Sequence, residues 1–199
     1  MNLLNKIIDK VVEIFNPYSV LTHEEIQKLI TKGYITADRE KVNATSVDVT
    51  LHQYHMTETQ LEKVNNVYLN EKETPNFTRK IADDYGWIRI EPRNFILGAT
   101  CEIFNLPDNI TAVFYMKSSL ARCGLDHCNA GFIDPGFNGS RLTLELTNLL
   151  RYHTLVLQKG MPIGQIKFYR HKYVPKRFSY RTKGQYNGDM SVQDSKGVR

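Results

Sequence analysis

The stretch Leu142-Thr143-Leu144-Glu145-Leu146-Thr147 alternates apolar and polar residues without a break. Successive side chains of a β-strand leave on opposite faces, so Leu142, Leu144 and Leu146 share one face and Thr143, Glu145 and Thr147 share the other. The spacing predicts a strand with one face in a core, and it keeps Glu145 off that core. The usual place for a glutamate on a strand is the solvent face. The other reading is a second face covered by a ligand or a subunit.

Working outward, the same texture recurs. Val47–Leu51, Trp87–Ile90, Thr100–Phe104, Ala112–Met116, Thr154–Leu157 and Ile163–Tyr169 read as short strands. Turn residues separate them: Glu91-Pro92, Pro107-Asp108, Asp134-Pro135-Gly136, Asn138-Gly139 and Lys159-Gly160-Met161-Pro162. Many short strands with little helix between them predict a mainly β fold, a barrel or sandwich of jelly-roll type with a few short helices. Residues 56–85 are polar and irregular and read as a long excursion from the barrel.

Two helices precede the strands. Leu4, Ile7, Ile8, Val11 and Phe15 stand at helical spacing, and Asn16-Pro17 stops that run. The second begins at Thr22, with Glu25 at the capping-box position, and closes at Lys32-Gly33. Three parts follow: a helical extension over 1–19, a β domain over 20–176, and a tail over 177–199. The tail has few aliphatic residues and is expected to be flexible on its own, free to act as a lid over a bound nucleotide.

Composition narrows the function classes. With 199 residues, 41% hydrophobic and 24% charged, the chain is expected to be one soluble, cytoplasmic domain. No apolar run approaches a membrane span or a signal peptide's apolar region. The formal charge of +5 suits nucleic acid, a polyanionic small molecule or simply a basic tail. No recognised nucleic-acid motif accompanies it, which ranks nucleotide above nucleic acid as the partner. Cys101, Cys123 and Cys128 are an odd set, read as reduced thiols. Cys123, His127 and Cys128 lack the C-x-x-C pair of a recognisable zinc site.

Candidate chemistry lies in the middle of the chain. Met116-Lys117-Ser118-Ser119-Leu120-Ala121-Arg122 places two hydroxyls between two cations after a strand, which suits a phosphate. A plain helix start, with Ser118 or Ser119 as its cap, explains the same residues. In Asn129-Ala130-Gly131-Phe132-Ile133-Asp134-Pro135-Gly136-Phe137, glycines and a proline enforce turns while aromatics flank a carboxylate. Backbone read-out of a base and an aromatic on a sugar would fit, and so would a structural hairpin.

Ser118 to Arg122, Ala130 to Phe137 and Leu142 to Asn148 together resemble the consecutive motifs of dCTP deaminases, in the trimeric dCTP deaminase and dUTPase superfamily. Val20 to Ile30, Ala44 to Leu51 and Gly160 to Gln165 are similar to further family motifs, so the resemblance spans about residues 20–170. It implies a distorted jelly-roll β-barrel of the dUTPase-like type, assembled as a homotrimer with interfacial active sites. It implies that Glu145 serves as general base and acid, with Ser118 and Arg122 holding it and a water in place, Arg122 across an interface. Lys117, Ser118 and Ser119 would contact phosphates, Asn129 and Ala130 the base, and Asp134 and Phe137 the deoxyribose. Gln165 of the late strand, and Tyr180, Lys183 and Tyr186 of the tail, complete the expected set.

The implied reaction is dCTP to dUTP and ammonia, with Mg2+ carried on the triphosphate. A dUTPase or a bifunctional enzyme giving dUMP is the runner-up, and a nucleotide- or partner-binding protein without turnover is the rival of another class. Feedback inhibition by dTTP is left open. The departures are Lys117 where the family usually has Arg, one extra residue near Ser140-Arg141 that predicts a bulge, and Gln185 and Asp189 in the tail motif where Lys and Gln are usual.

Zinc-dependent deaminases carry H-x-E followed by P-C-x-x-C. His23-Glu24-Glu25 meets the first half inside a capped helix, but the sequence has no P-C-x-x-C run. Exhaustive zinc chelation followed by excess Mg2+ is therefore expected to leave deamination of dCTP unchanged. Activity that returned only with added zinc would contradict the resemblance.

Overall fold

The computed structural model describes residues 18–197, so the helix expected over residues 3–15 lies outside the described residues. In chain order the elements are β1 (Ser19–Val20), α1 (His23–Thr31), β2 (Val47–Thr50), β3 (Tyr54–Glu58), β4 (Phe77–Ile81), β5 (Trp87–Ile90), β6 (Phe95–Asn105) and β7 (Ile110–Met116). There follow α2 (Ser118–Arg122), β8 (Leu125–Asp126), β9 (Phe132–Ile133), β10 (Asn138–Asn148), β11 (Leu155–Gln158), β12 (Pro162–Arg170) and α3 (Tyr180–Lys183), with short 3-10 turns between some of them. The mainly β class with a few short helices is what the structure holds. No helix among the described residues is long and apolar enough to cross a membrane.

Every strand pairing among the described residues is antiparallel. One sheet runs β1-β12-β7-β9, with β2 also on β12; the second runs β4-β3-β6-β10-β8; β11 and β5 form a ribbon. Burial along β10 explains its place. Leu142, Leu144 and Leu146 are buried while Thr143, Glu145 and Thr147 are half-buried, as the alternation predicts. The leucines meet Val47, Val49, Phe104, Ile166 and Phe168 in one core shared by both sheets and the ribbon. The expected bulge is present: the β10–β6 register shifts on either side of Ser140 and Arg141.

Local signals held at α1. The Thr22 N–H donates to Glu25 Oε2 at 2.9 Å, completing the capping box, and Ile26 and Leu29 are buried. Two expectations are revised. Residues 56–85 are not irregular throughout, because Tyr54–Glu58 and Phe77–Ile81 pair as a hairpin that extends the second sheet through β6. The β4 face is exposed, which is why its polar sequence lacks a strand signature.

The tail also departs from the picture of a segment with nothing to pack on. Ser140 Oγ donates to the Tyr186 carbonyl at 2.6 Å, the Arg141 N–H to the Asp189 carbonyl at 2.9 Å, and the Gln193 N–H to Thr143 Oγ1 at 3.3 Å. Val192 is wholly buried with Met56, Leu97 and Ala99, a small second cluster on the far side of β6. One aliphatic side chain, placed over a waiting apolar patch, does what composition alone does not foretell. An unpaired carboxylate in such a patch costs several kcal/mol. Val192→Asp is thus expected to release the tail while the body keeps its melting transition. Trypsin cleavage after Arg181 or Lys183 should accelerate about tenfold or more, as local opening sets the rate. Unchanged cleavage would show that Val192 does not hold the tail.

Candidate active site

Glu145 sits in the middle of β10, opposite Leu97 of β6, on the face turned away from the main core. Its side chain is 28% exposed, and its carboxylate Oε2 lies 3.3 Å from Nε2 of His127, whose side chain is only 6% exposed. Neither atom has a well-aligned hydrogen-bond partner among the described residues. A protonated ring at this distance would form an ion pair with the carboxylate. The His127 ring packs on Phe114 with centroids 4.5 Å apart. Phe114 is set in turn by Gly164 of β12, where a Cβ would stand 2.3 Å from the Phe114 ring. Only glycine admits this close approach. A run of contacts therefore leads from β12 through β7 to Glu145.

A pocket of about 540 Å³ opens over Glu145, within the usual range for small-molecule sites of about 300–1,000 Å³. Ala130, Phe132, Phe137, Tyr180 and Tyr186 stand in its wall. The Phe137 and Tyr180 rings are 5.3 Å apart at 49°. Burial raises the Tyr180 phenol above its ordinary range, which keeps this hydroxyl protonated. The turn beneath is fixed by Gly136 at φ +85°, where a Cβ would collide with Ser179 Oγ. Ser179 Oγ donates to Asp108 at 2.6 Å, and the Tyr180 N–H donates to the Pro135 carbonyl at 2.9 Å.

The structure thus brings together five of the residues singled out from sequence: Ala130, Phe137, Glu145, Tyr180 and Tyr186. It places others elsewhere. Lys117 Nζ donates to Asp48 Oδ2 at 2.5 Å, and Asn43 Nδ2 donates to Asp48 Oδ1 at 3.0 Å. Ser46 Oγ, within 3.4 Å of Asn43, donates to Gln165 Oε1 at 3.1 Å. Lys117 and Gln165 therefore belong to one polar network on the first sheet, with Ser118, Ser119 and Arg122 exposed on α2 immediately after it. None of these five lines the pocket over Glu145 of the same chain. Asn129 is exposed in the left-handed region at φ 54°, beside Cys128 at φ 26°.

Asp134 also lies outside the lining; the residue as a whole is exposed, and partial desolvation raises its carboxyl pKa. Lys183 sits over the Phe178 ring at 4.9 Å, away from the pocket. A larger polar cleft of about 1350 Å³, lined by residues between Thr57 and Ile96, contains none of the side chains singled out from sequence.

His127, Asp48, Asn43 and Ser46 are the neighbours of the expected site residues to which the sequence did not point. Asn43 lies just before the Ala44 to Leu51 stretch, and Ser46 and Asp48 lie within it, a stretch noted above as a motif without a role. His127 was considered only as a metal ligand.

A family model described as dCTP deaminase-like matches residues 20–171. The chain belongs to that family. A protein of Methanospirillum hungatei named "dCTP deaminase, dUMP-forming" is 34% identical over 154 residues, covering 75% of this chain and 80% of that protein. One of the same name from Streptomyces coelicolor is 34% identical over 185 residues, covering 83% and 91%. Among solved structures, the 2'-deoxycytidine 5'-triphosphate deaminase of Agrobacterium tumefaciens has the same fold, with a TM-score of 0.59 at 18% identity. That overlay covers 77% of this chain and 49% of the other.

The loop beside Glu145 offers a chemical check on the site. The Cys128 thiol pKa is raised by desolvation first, then by the charges of Asp126 and Glu145. Thiolate is the reactive form. Glu145→Gln removes one of those charges, so alkylation of Cys128 at pH 8 should quicken about twofold, by the nearby-charge rule, with exposed Cys123 as internal reference. No change in the Cys128 to Cys123 ratio would place Glu145 electrically remote from the loop.

Proposed function

We propose that this chain is a cytosolic deaminase of dCTP that works as a homotrimer, with Glu145 as general base and acid. The observation that carries this reading is the Glu145 carboxylate, held beside buried His127 at the base of an aromatic-walled pocket of nucleotide size. Family membership and the names of the relatives support the substrate.

In the proposed reaction Glu145 takes a proton from water, and the resulting hydroxide attacks C4 of cytosine. Glu145 passes that proton to N3, forming a tetrahedral centre. The second proton of the attacking oxygen then moves to the 4-amino group, ammonia leaves, and C4 becomes the carbonyl of uracil. Ala130 offers backbone groups to the base, Phe137 packs on the sugar, and Tyr180 and Tyr186 close the wall. Asn129 and Asp134, outside the lining, would reach the base and sugar only if their loop moves on binding. Mg2+ is expected to arrive on the triphosphate, where it shields phosphate charge; zinc has no role in this scheme.

Trimer assembly supplies the missing half. Lys117, Ser118, Ser119 and Arg122 are grouped on a different surface from the pocket, with Gln165 in the network behind them. In a trimer that surface of one subunit would meet the Glu145 pocket of the next, placing hydroxyls and cations on the phosphates and Arg122 beside the catalytic water. Lys183 would join them by leaving the Phe178 ring.

The relatives' names favour a second reading for the product. Both relatives described above are named dUMP-forming, so the proposed reaction continues from dUTP to dUMP and pyrophosphate on the same chain.

Two measurements test these readings. Incubation with dCTP and Mg2+ should release ammonia, with dUMP and pyrophosphate accumulating if the second reading holds and dUTP if it does not. Glu145→Gln keeps the size of the side chain but cannot carry protons, so deamination should fall about 10²–10⁴-fold while nucleotide binding persists. Near-wild-type turnover in that variant would remove Glu145 from the mechanism, and binding without turnover by the wild type would favour a non-catalytic protein.

A further inference from the structure

The wall of the Glu145 pocket has a charge problem for a polyanionic substrate. Glu145, Asp189 and Asp194 all line it, against Arg141 as the one lysine or arginine. That guanidinium is already engaged by the carbonyls of Met190, Thr100 and Cys101. Asp189 cannot easily swing away. Its N–H donates to Ser140 Oγ at 3.1 Å and its carbonyl accepts from the Arg141 N–H at 2.9 Å, which fixes its backbone to β10.

Lys196, seven residues further along, answers that charge. Its Nζ lies 2.9 Å from Asp189 Oδ2 and donates to the Gln185 carbonyl at 2.7 Å. The same ammonium stands 4.8 Å from the centre of the Tyr186 ring, and the Lys196 N–H donates to the Tyr186 hydroxyl at 3.1 Å. One residue thus neutralises the pocket's Asp189 and also ties the 185–189 stretch into a single unit. Exposed ion pairs contribute little to folding stability. A charge pair at the edge of a binding surface acts instead on which ligands are admitted.

We propose that Lys196 is a specificity-determining residue that sets how many phosphates the pocket accepts: by cancelling Asp189 it admits a triphosphate, and its loss turns Asp189 against one. This inference rests on the deaminase reading and goes beyond it, because nothing in the proposed reaction at C4 requires Lys196.

The alternative role is a mechanical staple for the tail, and the two roles separate in a double-mutant cycle. Steady-state kinetics and calorimetric binding are measured with dCTP and dCMP for the wild type, Lys196→Ala, Lys196→Arg, Asp189→Asn and the Asp189→Asn/Lys196→Ala pair. In Lys196→Ala the KM and Kd for dCTP should rise about tenfold, the scale of one misplaced charge at an interface, with kcat nearly unchanged. The same constants for dCMP should move much less. Lys196→Arg should restore dCTP, and Asp189→Asn should rescue Lys196→Ala by removing the carboxylate.

Equal losses for dCTP and dCMP, or no rescue by Asp189→Asn, would overturn the proposal in favour of the staple. Failure of the deaminase reading looks different: the wild type would turn over neither nucleotide. Calorimetric binding would still report the dCTP to dCMP ratio in every variant.

Discussion

The antiparallel pairing of β10 with β6 is the constraint on which the rest depends. It runs from Asn138↔Asn105 to Thr147↔Phe95 and joins both clusters of buried residues. On one side the leucines of β10 enter the main core. On the other, Glu145 faces the pocket, while Leu97 and Ala99 of β6 join the small patch that Val192 covers. Because side chains alternate strictly, a slip of one residue would exchange Glu145 with a leucine. The bulges near Ser140 and Arg141 belong to the same device: they absorb the register shifts at the start of β10, and from Thr143 onward Glu145 is delivered in phase.

Much of this was legible from local pattern. Trp87–Ile90 and the alternating part of β10 follow from period-two spacing, and the α1 cap follows from Thr22 and Glu25. β6 begins at Phe95, earlier than its alternation suggests, because Ile96 to Thr100 are buried on both faces and present no period. β10 begins at Asn138 although Asn138-Gly139 reads as a turn, since Gly139 opens a bulge rather than a reversal. What stayed hidden depends on distant partners. Lys117 reads as a free cation until Asp48, 69 residues away, is seen beside it. His127 reads as a stray ligand until β8 and β10 pair and bring it to Glu145.

The division of the expected site into two surfaces carries the same lesson at a larger scale. Sequence motifs order residues along a chain, whereas the interfacial site proposed above would be assembled from two chains. Residues of consecutive motifs can therefore be near neighbours in sequence and lie on different surfaces. Lys117 to Arg122 and Ala130 to Glu145 lie close along the chain, yet one group faces out from the first sheet and α2 while the other closes over Glu145 of the second.

The tail is fastened along its length: by Ser179 to Asp108 beside the Asp134 turn, by the backbones of Tyr186, Gly188 and Asp189 to Asn138, Ser140 and Arg141 of β10, and by Val192 in the patch on β6. The residues between Ser179 and Val192, Tyr186 and Asp189 among them, form a bridge with both ends fixed and its middle hydrogen-bonded to β10. A free terminal strap must search for its docking position and loses that freedom anew each time it closes. A doubly anchored bridge has already lost it on folding, so its effective concentration over the pocket is set by a short tether rather than by diffusion of an end. In the proposed deaminase, a nucleotide would then enter and leave by local opening of the bridge's hydrogen bonds to β10 rather than by release and recapture of a loose end.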